Sequence, residues 1–195
     1  MNFIFLAAGQ GQRMGMNKAL MTYQGEPWLL FQLRQLLELD LQNILLVTNP
    51  ESQTLVQEAI EKSGQRVLLL VNPHPERGPF SSLRLALAAA PESSSFVCPV
   101  DVPLKAHTLK AMRQAWLSNS QMEAVIPSYK GQKGHPVILS SELQRRLLQL
   151  PEESPQARLD VALNALAENK KKVLEIEDPF ITMNLNTQND LTTLS

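Results

Sequence analysis

A single cysteine, Cys98, is all the thiol this chain of 195 residues carries. That scarcity excludes an intrachain disulfide framework and a multi-cysteine metal cluster, and it fits a reducing compartment. No charge of one sign prevails, since 18 Lys and Arg stand against 19 Asp and Glu for a formal charge of −1. Such a balance suggests neither disorder nor a polyanion-coating protein, so nucleic acid is not the expected main partner. Long apolar runs are missing as well. Val67–Val71 is of strand length, far short of the roughly 20 residues that span a bilayer. Met1 to Ala8 is broken at once by Gly9, Gln10, Gly11, Gln12 and Arg13, without the leading basic residues of a secretory signal. The expectation is a cytoplasmic chain with no membrane partner. What remains is an apolar fraction of 44%, enough for a real core, in a length that suits one domain over 1–195.

Short aliphatic runs alternate with amphipathic stretches. Phe3 to Ala8, Asn43 to Thr48, Arg66 to Val71, Phe96 to Val100 and Ala124 to Ile126 read as buried strands. Helical spacing of three and four joins apolar residues from Trp28 to Leu39, from Leu55 to Ile60, and from Leu109 to Trp116. The second half adds a strand at Pro136 to Leu139, helices at Ser141 to Leu150 and Ala157 to Ala167, a strand at Val173 to Ile176, and a last helix capped near Thr187. Strand following helix in alternation predicts an α/β fold of three layers, α/β/α and Rossmann-like, around a mostly parallel central sheet. In such sheets ligands gather at the carboxyl ends of the strands. That rule selects four loops: Gly9 to Lys18, Thr48 to Pro50, Asn72 to Ser82, and Asp101 to Leu104.

Gly9, Gly11 and Gly15 follow the first strand directly, with Arg13 and Lys18 in the same loop. Glycines let backbone amides approach a phosphate and the two cations neutralise it, although an ordinary strand-to-helix turn also uses glycine. Two familiar phosphate loops fail on spacing. A Walker A loop needs Gly-Lys followed by Ser or Thr, but Met16 and Asn17 separate Gly15 from Lys18, and Ala19 follows. A dinucleotide fold needs a tighter glycine spacing and an acidic residue after the second strand, which here ends in Thr48, Asn49 and Pro50.

The run from Leu6 to Lys18 instead resembles the LAAGxSxRMGxxK signature of MobA/MocA-like nucleotidyltransferases, with departures at Gly11 and Asn17. Three more segments resemble that family's motifs in the same order. Gly78 to Leu83 is similar to its glycine and serine segment beside the base, Pro99 to Leu104 to its PVDxPL metal motif, and Gly134 to Val137 to its GHPV element facing the acceptor. Asn184 to Leu191 stands where relatives carry DxDTPEDL or NxNTPEDL. The GDxGAR segment of cytidylyltransferase relatives survives only as Ala157 and Arg158.

The resemblance implies transfer of a nucleoside monophosphate from a triphosphate to a phosphorylated acceptor, with pyrophosphate released. It implies Mg²⁺ as cofactor, held by Asp101 with the amide oxygen of Asn186. Arg13 and Lys18 fall to the triphosphate and its leaving group, so that Arg13, Lys18 and Asp101 form the catalytic set. Leu6, Ala8, Gly9, Gly11, Asn72, Gly78 and Ser82 fall to the nucleotide, and Gly134, His135 and Arg158 to the acceptor. Ala7, Ala8 and Gly9 match the form that goes with cytidine, which favours CTP; the acceptor implied is a molybdopterin-type cofactor, with transient contact to a molybdoenzyme. Use of GTP or UTP, another phosphorylated acceptor, or a non-catalytic cofactor-delivery module stand as alternatives. No general base is required, because a phosphate monoester with a second pKa of about 6 is mostly dianionic at pH 7. Cys98, before Pro99 on an apolar run, reads as a small buried thiol.

Overall fold

The computed structural model describes residues 1–9, 17–90, 92–151 and 154–194. Strand β1 (Asn2–Ala7) lies at the centre of the sheet, because its apolar run is buried on both faces. Alternate side chains go to opposite layers, as the two-residue period of a strand requires. Phe3, Phe5 and Ala7 enter one core cluster; Ile4 and Ala8 enter the other. A small hairpin, β2 (Thr22–Tyr23) and β3 (Glu26–Pro27), then leads into helix α1 (Trp28–Arg34).

The chain continues through β4 (Asn43–Thr48), α2 (Gln53–Ser63), β5 (Val67–Val71), α3 (Pro79–Ala89), β6 (Ser95–Pro99), α4 (Ala106–Leu117) and β7 (Ala124–Tyr129). It closes with β8 (Gln132–Lys133), β9 (Val137–Leu139), α5 (Ser141–Gln149), α6 (Leu159–Ala165) and β10 (Lys171–Glu175). The sheet order is β10-β7-β9-β6-β1-β4-β5, with β8 paired to β7. All pairings are parallel except those of β9 with β6 and β7 and of β8 with β7. Apolar side chains from α1, α2 and α4 pack in the layer of Phe3 and Phe5, and those from α3, α5 and α6 in the layer of Ile4. The predicted three-layer α/β/α architecture is therefore the one observed. Among the described residues no helix is long and apolar enough to cross a membrane.

β1 has β4 on one side and β6 on the other, so strand order reverses there. The crevice at such a switch point is where an open α/β sheet binds ligands, and it brings the end of β1 beside the turn after β6.

Helix α3 was not foreseen: the segment after β5 reads as a loop through Ser82. Pro79 is in fact the helix's first residue, where its missing N–H costs nothing, and Leu83, Ala86 and Leu87 bury at helical spacing behind it. Conversely, helical spacing predicts one helix to Leu39, whereas α1 ends at Arg34. Leu36 and Leu39 are still buried, in turns, so their spacing marked burial rather than continued helical hydrogen bonding. The helix predicted over 157–167 is confined to α6, and the one expected after Thr187 is a 3-10 turn, Gln188–Leu194.

Candidate active site at the end of the central strands

Gly11 and Arg13 fall outside the described residues, but both ends of their loop are held by side chains. Before the loop, Asn49 Nδ2 donates to the Gly9 carbonyl at 3.3 Å while Asn49 Oδ1 accepts from Ser52 N. After it, the buried Asn17 donates to the Ala7 carbonyl at 2.7 Å and to Thr48 Oγ1 at 3.3 Å, and its Oδ1 accepts from Ala19 N. Asn17 thereby caps a short 3-10 turn, Lys18–Leu20, and sets the starting point of the Lys18 side chain. From sequence, Asn17 stands out only as a departure from the family signature and Asn49 only as a non-acidic residue after the second strand, and neither is given a role there.

Lys18, Asp101 and Asn186, 168 positions apart at the extremes, meet at one point. The Lys18 ammonium donates to Asp101 Oδ2 at 2.6 Å and to Asn186 Oδ1 at 3.0 Å. Both acceptors are braced from behind. On one side, α1 grips the turn that carries Asp101: Trp28 Nε1 donates to the Val100 carbonyl, and Gln32 donates to the Val102 carbonyl while accepting from Leu104 N. On the other, Leu185 N donates to the Asp101 carbonyl at 2.8 Å, so the C-terminal segment is tied to the same turn. The Asp190 carboxylate accepts from Asn186 N at 2.6 Å and Thr187 N at 2.9 Å; these bonds to the charged form hold its pKa below the ordinary value. Asn186 Nδ2 donates to the Asn184 carbonyl, which leaves Oδ1 as the atom aimed at Lys18.

The donor set suits a hard divalent ion. Asp101 and Asn186 offer two oxygens that already converge on a cation, the ammonium of Lys18, and Mg²⁺ or Mn²⁺ prefers oxygen ligands shared with phosphate and water. No group of three His, Cys, Asp or Glu that could hold a metal occurs among the described residues. A metal here would take its remaining oxygens from phosphate and water.

Gln32 is fully buried and was read only as part of a helix. Its replacement by Leu strands Leu104 N and the Val102 carbonyl without partners, at an expected cost of about 1–2 kcal/mol. The measurement is urea unfolding, in which the midpoint should fall at unchanged slope; an unchanged midpoint would show that the turn holds itself.

Beside this point lies a cavity of about 730 Å³. Leu6, Phe80, Val97, Ile126, Val137 and Leu163 supply apolar wall, and Arg77, Lys133, His135 and Arg158 supply polar rim. Leu6 lines this cavity, and its carbonyl accepts from Val100 N. The Arg158 guanidinium bonds both oxygens of Asp160, at 3.1 and 2.8 Å. Lys133 Nζ bonds the neutral amide oxygen of Asn164 at 3.3 Å, which leaves its charge uncompensated by that partner. Lys133 and Arg77 were passed over in the sequence, although Lys133 adjoins Gly134 in a loop already assigned to the acceptor.

Gly134 and His135 are held to the rim by a strap. His135 N donates to the Ile181 carbonyl at 2.8 Å, and Gly134 N to the Pro127 carbonyl at 2.9 Å. The strap is anchored in turn by the buried Asp178, whose carboxylate accepts from Thr108 Oγ1 on α4 and from Phe180 N. His135 Nδ1 is a buried atom with no hydrogen-bond partner. Burial lowers the pKa of the ring, against the opposing pull of the Asp101 carboxylate and the Val97 backbone. A neutral imidazole results near pH 7.

Of the remaining predicted nucleotide contacts, Ala8 is buried at the end of β1 and Gly9 is exposed. Gly78 opens α3 at φ +86°, a left-handed conformation that glycine alone adopts freely. Asn72 and Ser82 are buried and bonded to one another: Asn72 Nδ2 donates to Ser81 and Ser82 hydroxyls, each at 2.9 Å, and Asn72 Oδ1 accepts from His74 N. Asn72 thus couples the end of β5 to the start of α3. Cys98 is fully buried in β6, where burial first and the charge of Asp101 second push its thiol well above the ordinary value. It stays protonated and is no nucleophile.

A family model described as the MobA-like NTP transferase domain matches residues 3–169. The chain belongs to that family. It is 24% identical over 190 residues to the molybdenum cofactor cytidylyltransferase of Escherichia coli K12, covering 97% of this chain and 93% of the relative. It is 39% identical over 84 residues to the bifunctional IPC transferase and DIPP synthase of Thermococcus kodakarensis, a match over 43% of this chain that spans only 19% of that longer protein. Among solved structures, Rv0371c of Mycobacterium tuberculosis H37Rv in complex with manganese superposes with a TM-score of 0.74 at 19% identity, over 99% of this chain and 96% of that one. The 4-diphosphocytidyl-2C-methyl-D-erythritol synthase of Anaerococcus prevotii gives a TM-score of 0.75 at 13% identity, over 98% and 92% of the two chains. These structures establish the nucleotidyltransferase fold, and the family makes this chain an NTP transferase.

Proposed function

We propose that this member of the family transfers CMP from CTP to a phosphorylated acceptor, of molybdopterin type, and releases pyrophosphate. The observation that carries the reading is the meeting of Lys18, Asp101 and Asn186 beside a large, mostly apolar cavity rimmed by Lys133, His135 and Arg158. An acceptor phosphate oxygen attacks the α-phosphorus, forming one P–O bond as the α–β bridging bond breaks and its electron pair leaves on pyrophosphate. The protein's part is alignment and charge neutralisation. Lys18, with Arg13, serves the triphosphate and the leaving group. His135, Lys133 and the Arg158–Asp160 pair on the cavity rim hold the acceptor. Asp101 and Asn186 would hold a Mg²⁺ ion, which would supply charge stabilisation beyond that of a single lysine.

The mostly apolar wall supports an acceptor with a sizeable, weakly hydrated body. Ala7 and Ala8 support cytidine through the resemblance of their loop to the cytidine-using form. The testing experiment is a thermal-shift panel of CTP, GTP, UTP and ATP, each with Mg²⁺. CTP is expected to raise the melting temperature most, by several degrees at saturating ligand. A larger shift with GTP would reverse the base assignment. Pyrophosphate release with CTP and a panel of phosphorylated acceptors, molybdopterin cofactor included, then decides the acceptor.

A further inference from the structure

We infer that Lys18 is the resident cation of the metal cradle, so that divalent ion and triphosphate enter this site as a single ligand, the triphosphate taking over the ammonium that the ion displaces. This deepens the proposed nucleotidyl transfer and rests on it. At 2.6 Å from Asp101 Oδ2 and 3.0 Å from Asn186 Oδ1, the ammonium makes direct bonds to the very oxygens assigned to the metal. Mg²⁺ sits closer still to its oxygens, at about 2.0–2.1 Å. An ion bound by both therefore needs the volume that the ammonium fills, and two cations cannot share it.

The oxygens do not yield. Asp101 stands on a turn gripped by Trp28, Gln32 and Leu185, and Asn186 is oriented by Asn184 and Asp190. The movable partner is Lys18, a point charge on a four-carbon stem whose backbone alone is fixed, by Asn17. Charge then sets the order of events. With one carboxylate between them, a divalent ion alone must expel an ammonium and strand it, which makes metal binding to the free protein weak. A triphosphate changes the balance, because its oxygens ligate the ion and also receive the displaced ammonium. Metal and triphosphate are thus thermodynamically coupled, and by linkage each strengthens the other equally. A lysine that served only the leaving group would leave metal affinity in the absence of nucleotide untouched.

The test measures Mn²⁺ binding to the intact protein by equilibrium dialysis, with and without CTP, correcting for the Mn²⁺ that CTP chelates in the protein-free compartment. In the wild type, saturating CTP is expected to tighten Mn²⁺ binding by about tenfold or more. In Lys18→Met, Mn²⁺ alone should bind about tenfold tighter than to the wild type, and the tightening by CTP should shrink to the part that phosphate ligation of the ion supplies. Lys18→Arg, which keeps a cation in the cradle, should bind Mn²⁺ alone as weakly as the wild type does. If Lys18→Met folds and binds Mn²⁺ alone no more tightly than the wild type, the inference is overturned while nucleotidyl transfer stands. Should Lys18→Met not fold, the wild-type coupling still decides: CTP that binds without tightening Mn²⁺ overturns the inference alone. A wild type that binds no triphosphate, with or without Mn²⁺, overturns both readings.

Discussion

Asp101→Asn is expected to lower metal-dependent pyrophosphate release by roughly a thousandfold, the order seen when a main electrostatic stabiliser of a transition state is removed. The substitution keeps the shape of the side chain and deletes its charge. The cradle then consists of two neutral amide oxygens, and nothing in it offsets a divalent ion. The same change replaces the ion pair of Lys18 at 2.6 Å by a bond to a neutral amide oxygen. Folding should survive, because the turn is held by backbone bonds to Trp28, Gln32 and Leu185 rather than by the carboxylate. Pyrophosphate release with CTP, the phosphorylated acceptor and Mg²⁺, read beside the circular dichroism melting curve, separates the two effects. Near-normal turnover in a folded Asp101→Asn protein would remove Asp101 from the metal site.

The sequence exposed the residues that carry charge more readily than those that aim it. Lys18 and Asp101 stood out because each follows a strand, and the switch-point rule brings those strand ends together whatever their separation along the chain. Asn186 came from the resemblance alone, since no periodicity ties residue 186 to residue 18. The supporting roles of Asn17, Gln32 and Asn49 were illegible for a physical reason. Each is a neutral side chain whose decisive partner lies far along the chain, Thr48 for Asn17, Val102 for Gln32 and Gly9 for Asn49. A helical wheel marks Gln32 only as a polar residue on a buried face, and burial becomes favourable there only because its hydrogen bonds are met.

Apolar pattern behaved similarly at the level of the fold. It located β1, β4 and β6 well, since central parallel strands are apolar on both faces and short. It missed α3, whose leading Pro79 and serines look like loop until Gly78 and Pro79 are recognised as a helix start. It gave no warning that β9 runs antiparallel between β6 and β7, because direction in a sheet is set by the connections and not by the residues of the strand. That reversal has a consequence for the site: it turns the chain at Gly134 and His135 toward the cavity, where the Ile181 strap meets them.

Gly134 is where that strap leaves no room. A Cβ at this position would stand 2.2 Å from the Ile181 carbonyl oxygen and 2.6 Å from its carbon, both of them backbone atoms. Gly134→Ala must therefore push the strap outward or tilt the Gly134–His135 segment. Either movement stretches the bond from His135 N to the same carbonyl and the one from Gly134 N to Pro127. The strap itself cannot retreat cheaply, being anchored through Asp178 to Thr108 on α4 and packed by the fully buried Ile181. Overpacking against backbone with loss of a buried hydrogen bond is expected to cost roughly 3 kcal/mol, visible as a lower urea midpoint. The acceptor side should suffer further, because His135 moves with the segment. In the fraction that remains folded, KM for the acceptor should rise by more than affinity for CTP falls. A Gly134→Ala protein of normal stability and normal acceptor KM would mean that the strap yields freely, and that His135 is not positioned by it.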